Sequence, residues 1–480
     1  MLFTQTEFFA LLAVTFAFLL AVGGNRPRKL FLLAVSYYFY AYWDWRFLGL
    51  LLLSTTVDFS VGHALNHETR VGRRRTLLAL SLATDLGLLG LFKYCNFFIE
   101  SLTVMLSPLG LHVGTFELIL PLGISFYTFR TLSYVIDVYR HRLSPCTDYC
   151  DYALFVGFFP TLLAGPIVRA SCLLPQFESP RALSWDRALD GFRQFVLGMF
   201  KKVFIADNVA VFVDGVFDNP GVFDGGTTWL AVAAYGAQIY CDFSGYSDMA
   251  IGTARAIGYD LPENFDYPYL STSVAEFWRR WHVSLSTWFR DYVFLPLAYP
   301  TARLFARATS SQRWADVWAY ATTTMAVMFL VGLWHGAAWA FVVWGLLHGA
   351  ALVLQRWGTR PRRRRCAALP PWLRDTVGWS ATMAVVMVAW VFFRAHGLAS
   401  SLTLLRRMFL EFAGVTWIHP FALLAISLTA LDHLTHLRTA LRWQSWPVGS
   451  FRAATVTCLM LWLTILFRPT GFVPFVYAQF

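Results

Sequence analysis

The sequence predicts an all-α, polytopic membrane protein. Three observations carry that reading. Of 480 residues, 57% are hydrophobic and only 14% are charged, against about 25% charged in an ordinary soluble domain. Mean hydropathy is +0.51. Twenty Trp, twenty Tyr and 44 Phe suit aromatic belts at two membrane interfaces. A net charge of +11 then reads as Arg and Lys in short cytosolic loops that fix topology. It does not read as a nucleic-acid surface, because no basic arm is interleaved with solvent aromatics. Seven cysteines, Cys95, Cys146, Cys150, Cys172, Cys241, Cys366 and Cys458, are scattered without a CxxC pair. They indicate neither a zinc site nor a disulfide framework.

Each element follows from apolar runs alternating with basic clusters. Residues 8–22 lack a basic leader and a clear small-residue cleavage site, so they read as a first membrane helix and not a removed signal. Arg26, Arg28 and Lys29 follow and belong in the cytosol, which puts the N-terminus outside. Residues 30–43 and 47–64 go out and come back to Arg70, Arg73, Arg74 and Arg75. Residues 77–98 go out, and 118–138 return to Arg140, His141 and Arg142. Residues 154–167, 192–212 and 229–257 are interrupted by Gly and Pro. These are candidates for re-entrant segments, which membrane proteins tolerate where they line a cavity. Residues 270–299 are too polar to face lipid and too apolar for a solvated loop. Residues 322–354 read as one span leading to Arg356, Arg360 and the run Arg362, Arg363, Arg364, Arg365. Residues 379–393 go out, 409–431 return to Arg438 and Arg442, and 454–467 go out again, so the C-terminus is extracytoplasmic as well. About 12 spans result, each of roughly 20 residues. There is no internal repeat or long linker, and residues 1–480 read as one membrane domain.

Two stretches keep costly polar groups among apolar ones: EFWRRWHVSLSTWFRDY at Glu276–Tyr292 and GLWHG at Gly332–Gly336. Polar side chains at membrane depth usually bind or react. His335 sits in VGLWHGAAW, where Gly336 and Ala337 leave room for an approaching group. A neutral imidazole there can take a proton from a hydroxyl near neutral pH. The other reading is a buried histidine bonded to a neighbouring helix. His348 recurs thirteen residues later. On a continuous helix it lies roughly 20 Å from His335, on another face. The two could then share no metal ion, and no HExxH spacing occurs. His348 reads as packing against a partner or sitting near the cytosolic mouth. On a helix, Trp278, His282 and Ser286 share a face. Arg279, Arg280 and Arg290 either meet an anionic substrate group or pair locally with Glu276 and Asp291. Asp242 and Asp248, in YCDFSGYSDMA, need partners at this depth, for which the arginines of 276–292 are the obvious candidates. The expectation there is a polar network holding a broken helix open. No P-loop, GxGxxG, GxSxG or SxxK frames a nucleophile. From composition alone, a transporter or a conduit without chemistry is a rival, though inverted repeats are absent.

Taken together the motifs resemble the membrane-bound O-acyltransferases, in the bacterial branch that serves polysaccharide O-acetylation. The matching pieces run nearly end to end: KLFLLAVSYYFYAYWDW, LFKYCNFF, LPLGISFYTFRTLSYVIDVYR, LLAGPIVR, FKKVFIADNVA, YCDFSGYSDMAIG, PENFDYPYLSTSVAEFWRRWHVSLSTWFRDYVFLPL, GLWHGAAW, WVFFRA and FVYAQF. The densest signature lies in 229–355, with a last span and tail at 452–480. The resemblance implies a ring of about 12 tilted helices with re-entrant segments around a central tunnel. It implies that His335 is the essential catalytic residue, and that His282 occupies a position usually Asn or His. His282 or Trp N–H groups would polarise the carbonyl. Trp334, Trp278, Arg279, Arg280, Ser286 and Arg290 are the candidates for donor and substrate binding. The donor implied is cytosolic acetyl-CoA, as a co-substrate without any bound cofactor or metal. The acceptor implied is a cell-surface polysaccharide, reached through an extracytoplasmic SGNH-type partner; D-alanyl transfer is the variant reading. The setting implied is the bacterial inner membrane. Tyr477 in FVYAQF is either an acyl relay or an interfacial anchor. Two departures bear on acceptor and partner: AYPTARLFARATSSQRW stands where relatives carry a GGNR-type loop, and Thr161 where they often have His.

Overall fold

Apolar sequence of this length must satisfy its backbone internally, and helices do so within one segment. Among the described residues the regular structure is helical, apart from an isolated bridge between Phe223 and Val415. The computed structural model describes residues 1–110, 114–179, 183–366, 370–436, 446–447, 449–469, 471 and 475, with 358–366 as backbone only. Trp45–His67, Val71–Leu109, Gln312–His335, Trp339–Trp357 and Pro371–Arg394 are long and apolar enough to cross a membrane. Thr6–Ala21 and Phe451–Leu466 are apolar but shorter. The chain divides into two compact units, residues 1–196 with 246–262, and residues 197–245 with 263–480.

The first unit packs Leu48–His67, Val71–Leu89 and Ile124–Tyr139 against one another. Several of its buried polar groups are tied to one another. Asp85 accepts from Ser54 Oγ at 2.6 Å and Thr131 Oγ1 at 2.5 Å, and Asp58 accepts from Ser81 Oγ at 2.5 Å. Lys29 pairs with Asp151 at 2.5 Å. Arg130, fully buried, donates to the carbonyl of Thr161 at 2.6 Å, to its hydroxyl at 3.1 Å and to the Phe155 carbonyl at 3.2 Å. Thr161, the departure noted above, is thus a ligand of a buried guanidinium. The expected span at 118–138 becomes helical only from Ile124, after Gly123 in the left-handed region at φ 75°.

The second unit holds the pair Gln312–His335 and Trp339–Cys366, which pack on each other. This corrects the expectation of one span over 322–354. The first helix ends at His335, Gly336 is extended, and the second helix starts at Trp339. Two glycines let the backbones meet: a Cβ at Gly332 would strike the Phe341 carbonyl, and one at Gly345 the Met328 carbonyl. A second correction concerns 229–257. Gly225–Ala256 is one helix of 32 residues and is not broken. Gly245 serves close packing there, because a Cβ would come within 2.7 Å of the Gly198 carbonyl oxygen. Nor do the arginines of 276–292 hold its carboxylates. Asp242 pairs with Lys202 at 2.5 Å, and Lys202 also holds Asp207 at 2.7 Å. In the first unit Asp248 accepts from Gln194 at 3.3 Å. A lysine within the π-helical stretch Phe200–Ala206 thus takes the place expected for distant arginines.

Candidate active site

Glu276–Tyr292 does not form the continuous helix that would stack Trp278, His282 and Ser286. It makes two short helices, Val274–Arg280 and Val283–Phe289, with His282 between them at φ 44°, ψ 57°. Asn264 accounts for the break. Its carbonyl accepts from Val283 N at 2.9 Å, and its Oδ1 accepts from Ser284 N at 3.2 Å and Ser284 Oγ at 2.8 Å. One distant residue thereby caps the first turn of the new helix, whose N–H groups would otherwise be orphaned. The same Oδ1 lies 3.1 Å from His282 Nδ1. Because the Ser284 backbone N–H donates to that atom, it is the amide oxygen, and Nδ1 must carry the proton. The neutral ring of His282 then presents Nε2 as an acceptor. This differs from the expected role of His282 as a donor to the carbonyl.

His282 is fully buried, with its ring 4.6 Å from that of Phe243 and 5.8 Å from that of Trp334. Trp334 is also the neighbour of His335, at 4.8 Å. Both histidine rings therefore contact one indole. His335, buried at the end of its helix, also meets Trp344 at 4.8 Å and Phe393 at 5.2 Å. The space beside Gly336, expected to admit an approaching group, is filled by the Phe341 ring. His348 is not remote from this centre. The fold places it 5.0 Å from Trp344, on the other side from His335 in the chain of rings.

A cavity of about 240 Å³ meets this set of rings at Trp278, which packs 5.8 Å from Trp344 and 5.3 Å from His348. Its wall is largely apolar, with Leu285, Phe289, Phe294, Val327, Met328, Val331 and Leu352; Trp278, Ser286, Arg290, Tyr320 and Thr324 complete it. Tyr320, Thr324, Val327, Met328 and Val331 form one face of Gln312–His335, and His335 continues that face one turn beyond Val331. Arg356 stacks its guanidinium 4.0 Å from the Tyr320 ring centroid, at the end away from His335. Arg290 also lines the cavity and pairs with Asp291 at 2.8 Å, with its side chain 61% exposed. Of the predicted binding residues, Trp278, Ser286 and Arg290 share this cavity. Arg280 instead pairs with Glu276 at 2.9 Å, and Arg279 is exposed. Tyr477 lies outside the described residues. Phe475, two residues before it, packs 5.7 Å from Phe243, the ring that covers His282. Sequence reasoning missed Asn264 as the clamp; the signal was a lone Asn in PENFDYPY, just before the histidine motif.

The sequence profile described as MBOAT, membrane-bound O-acyltransferase family, matches residues 141–402. The chain is 40% identical to "Probable alginate O-acetylase AlgI" of Azotobacter vinelandii over 403 residues, 83% of this chain and 76% of that one. It is 36% identical to the peptidoglycan O-acetyltransferase of Helicobacter pylori over 436 residues, 84% of this chain and 79% of that one. The teichoic acid D-alanyltransferase of Streptococcus thermophilus is 29% identical over 329 residues, covering 62% and 75% respectively. With this profile match and this extent of identity, the chain belongs to the membrane-bound O-acyltransferase family.

Proposed function

We propose that the protein takes an acetyl group from cytosolic acetyl-CoA and passes it across the inner membrane to a hydroxyl of a cell-envelope polysaccharide. The observation that carries this reading is one continuous helix face. From Tyr320, under Arg356, to Val331 it lines the cavity over eleven residues, roughly 16 Å at 1.5 Å per residue. One more turn reaches His335. Arg290 and Arg356 offer guanidinium groups for the phosphates of CoA. The apolar wall suits the donor's arm.

In the proposed reaction His335 removes the proton of the acceptor hydroxyl. The oxygen attacks the thioester carbonyl, the C–S bond breaks, and the leaving thiolate takes a proton to become the CoA thiol. Atoms and charge balance without ATP. His282 Nε2, an acceptor held by Asn264, orients the incoming hydroxyl or the imidazole opposite. Trp334, shared by both rings, is suited to face the carbonyl oxygen. Two relatives named for O-acetylation of alginate and of peptidoglycan support acetyl as the group and an envelope polymer as acceptor. A ring of about 12 tilted helices with re-entrant pieces, both termini extracytoplasmic, and an SGNH-type partner complete the proposal. Tyr477 is the proposed relay. Phe475 brings the tail beside Phe243, and two residues span about 7 Å at most.

His335→Ala tests the chemistry. Transfer from acetyl-CoA should fall by about 10²–10⁴-fold, the scale of general acid–base catalysis, with folding and donor binding kept. Retained transfer would favour a conduit without chemistry. Tyr477→Phe tests the relay: polymer acetylation in cells should stop while acetyl-CoA still binds, and normal acetylation would leave the tyrosine an anchor.

A further inference from the structure

The first unit carries a cavity of its own, of about 300 Å³. It lies where two packed helices, Leu48–His67 and Ile124–Tyr139, come to an end. Leu65 and Val138 are on its wall, with the polar residues Asn66, His141, Arg142 and Ser144. These four are exposed, and their side chains make no hydrogen bond or ion pair among the described residues. The volume is at the low end of the roughly 300–1,000 Å³ usual for small-molecule pockets. It suits a ligand of headgroup size better than a bare ion.

Two helix C-termini would ordinarily repel an anion, because their last carbonyls carry partial negative charge. Here those carbonyls are largely engaged. Buried Arg74 donates to the carbonyl of Leu65 at 2.5 Å, of Glu68 at 3.1 Å and of Tyr139 at 2.8 Å. Past Tyr139, Arg140 N donates to the Ile136 carbonyl at 2.9 Å, His141 N to that of Val138 at 3.1 Å and Arg142 N to that of Asp137 at 2.8 Å. The last two bonds make a Schellman turn, with His141 at its left-handed position, φ 56°. Glycine is the usual occupant of that position, since it has no Cβ to strain. The turn therefore accounts for the backbone and not for the imidazole.

The remaining charges set the sign of the site. Residues 65–75 and 137–145 hold Arg70, Arg73, Arg74, Arg75, Arg140 and Arg142 against Glu68 and Asp137. Glu68 is taken up by Arg73 at 3.5 Å and by the Arg70 backbone N–H at 2.8 Å. Arg142 is thus a cation on the cavity wall with no protein anion to hold. A guanidinium, an amide and a hydroxyl can all donate to phosphate oxygens. Trp45–His67 is long and apolar enough to cross a membrane, so its end stands at the level of lipid headgroups. Basic pockets between membrane helices at that level take anionic headgroups.

We propose that this cavity holds the phosphate of an anionic phospholipid headgroup, which bridges the two helix ends. Arg142 is its charge partner, and Asn66, His141 and Ser144 bond its oxygens. The site stands apart from the acyl-transfer reading. Free phosphate shares its chemistry.

The test uses the full-length protein, delipidated in detergent, and titrates mixed micelles containing phosphatidylglycerol. That lipid should raise the thermal midpoint, since a ligand that binds the folded state stabilises it. In Arg142→Gln its affinity should fall about tenfold, equivalent to about 1.4 kcal/mol. In His141→Gly the affinity should fall several-fold, while the lipid-free midpoint does not drop. If glycine at 141 disturbs folding, Arg142→Gln decides the matter, because it removes an exposed side chain without a partner. Arg75→Gln is the control: it removes an exposed arginine of the same cluster that is not on the cavity wall, and the affinity should stay close to that of the wild type. Unchanged affinity in Arg142→Gln overturns the proposal. An equal loss in Arg75→Gln overturns it too, since binding would then follow the diffuse charge of the loops. Equal stabilisation by phosphatidylcholine overturns the need for an anion, and equal stabilisation by inorganic phosphate overturns the lipid as its source.

Discussion

In the first unit, Asp85 lies in an apolar helix with both carboxylate oxygens engaged, one by Ser54 and one by Thr131. In the second, His348 lies in an apolar helix with neither ring nitrogen hydrogen-bonded among the described residues. The same contrast separates Arg130, held by three acceptors, from His282, clamped at Nδ1 by Asn264 with Nε2 left without a partner among the described residues. Burying a polar atom is costly in either case, and hydrogen bonds recover most of that cost where they form. The engaged oxygens of Asp85 and the engaged guanidinium nitrogens of Arg130 tie segments together, whereas the open nitrogens of His282 and His348 lie among aromatic rings.

The contrast can be broken most severely from the structural side. Lys202→Met should leave Asp207 and Asp242 buried without their shared cation, a loss of about 3–5 kcal/mol for a broken buried pair. Its measure is the thermal midpoint and the yield of folded protein in detergent. A well-folded Lys202→Met protein would mean that engagement is not what distinguishes the two groups. Val331→Phe is a milder probe, placed where the cavity ends beneath His335. Filling that space should raise the KM for acetyl-CoA by about tenfold or more, while overpacking lowers stability by about 1–3 kcal/mol. Equal kinetics would remove the cavity from the donor's path. The smallest effect is expected at Arg290. Its ion pair with Asp291 is solvent-facing, and such pairs contribute about 0–1 kcal/mol. Arg290→Gln should leave the thermal midpoint unchanged within error. It should weaken donor binding a few-fold at low salt, and the difference should shrink as ionic strength rises.

The candidate residues were legible in the chain. His335, Trp334, Trp278, Ser286 and Arg290 stand out because polar and aromatic groups interrupt an apolar background; the structure puts Trp278, Ser286 and Arg290 on the cavity wall and His335 and Trp334 among rings off that wall. The local pairing of Glu276 with Arg280 and of Arg290 with Asp291 was equally readable, since i, i+4 and adjacent charges find each other without tertiary help. What escaped was long-range. GLWHGAAW looks like the middle of a span, because nothing in an apolar run announces that the Gly332 and Gly345 backbones will touch. The break at His282 is made by Asn264, from a separate loop. Asp242 turned to Lys202, not to the arginines nearest it in kind, because close packing at Gly245 brings that lysine's segment alongside.

The left-handed backbone at His282 carries a consequence for which residues can live there. An L-residue in that region costs roughly 1–2 kcal/mol, and Asn, Asp and His bear it more readily than others, while branched side chains bear it badly. Torsion angles therefore limit the choice of side chain at this position. His and Asn are among the few side chains the bend permits. An alanine or valine scan would confuse a twisted main chain with a missing functional group; an asparagine would ask about the imidazole alone.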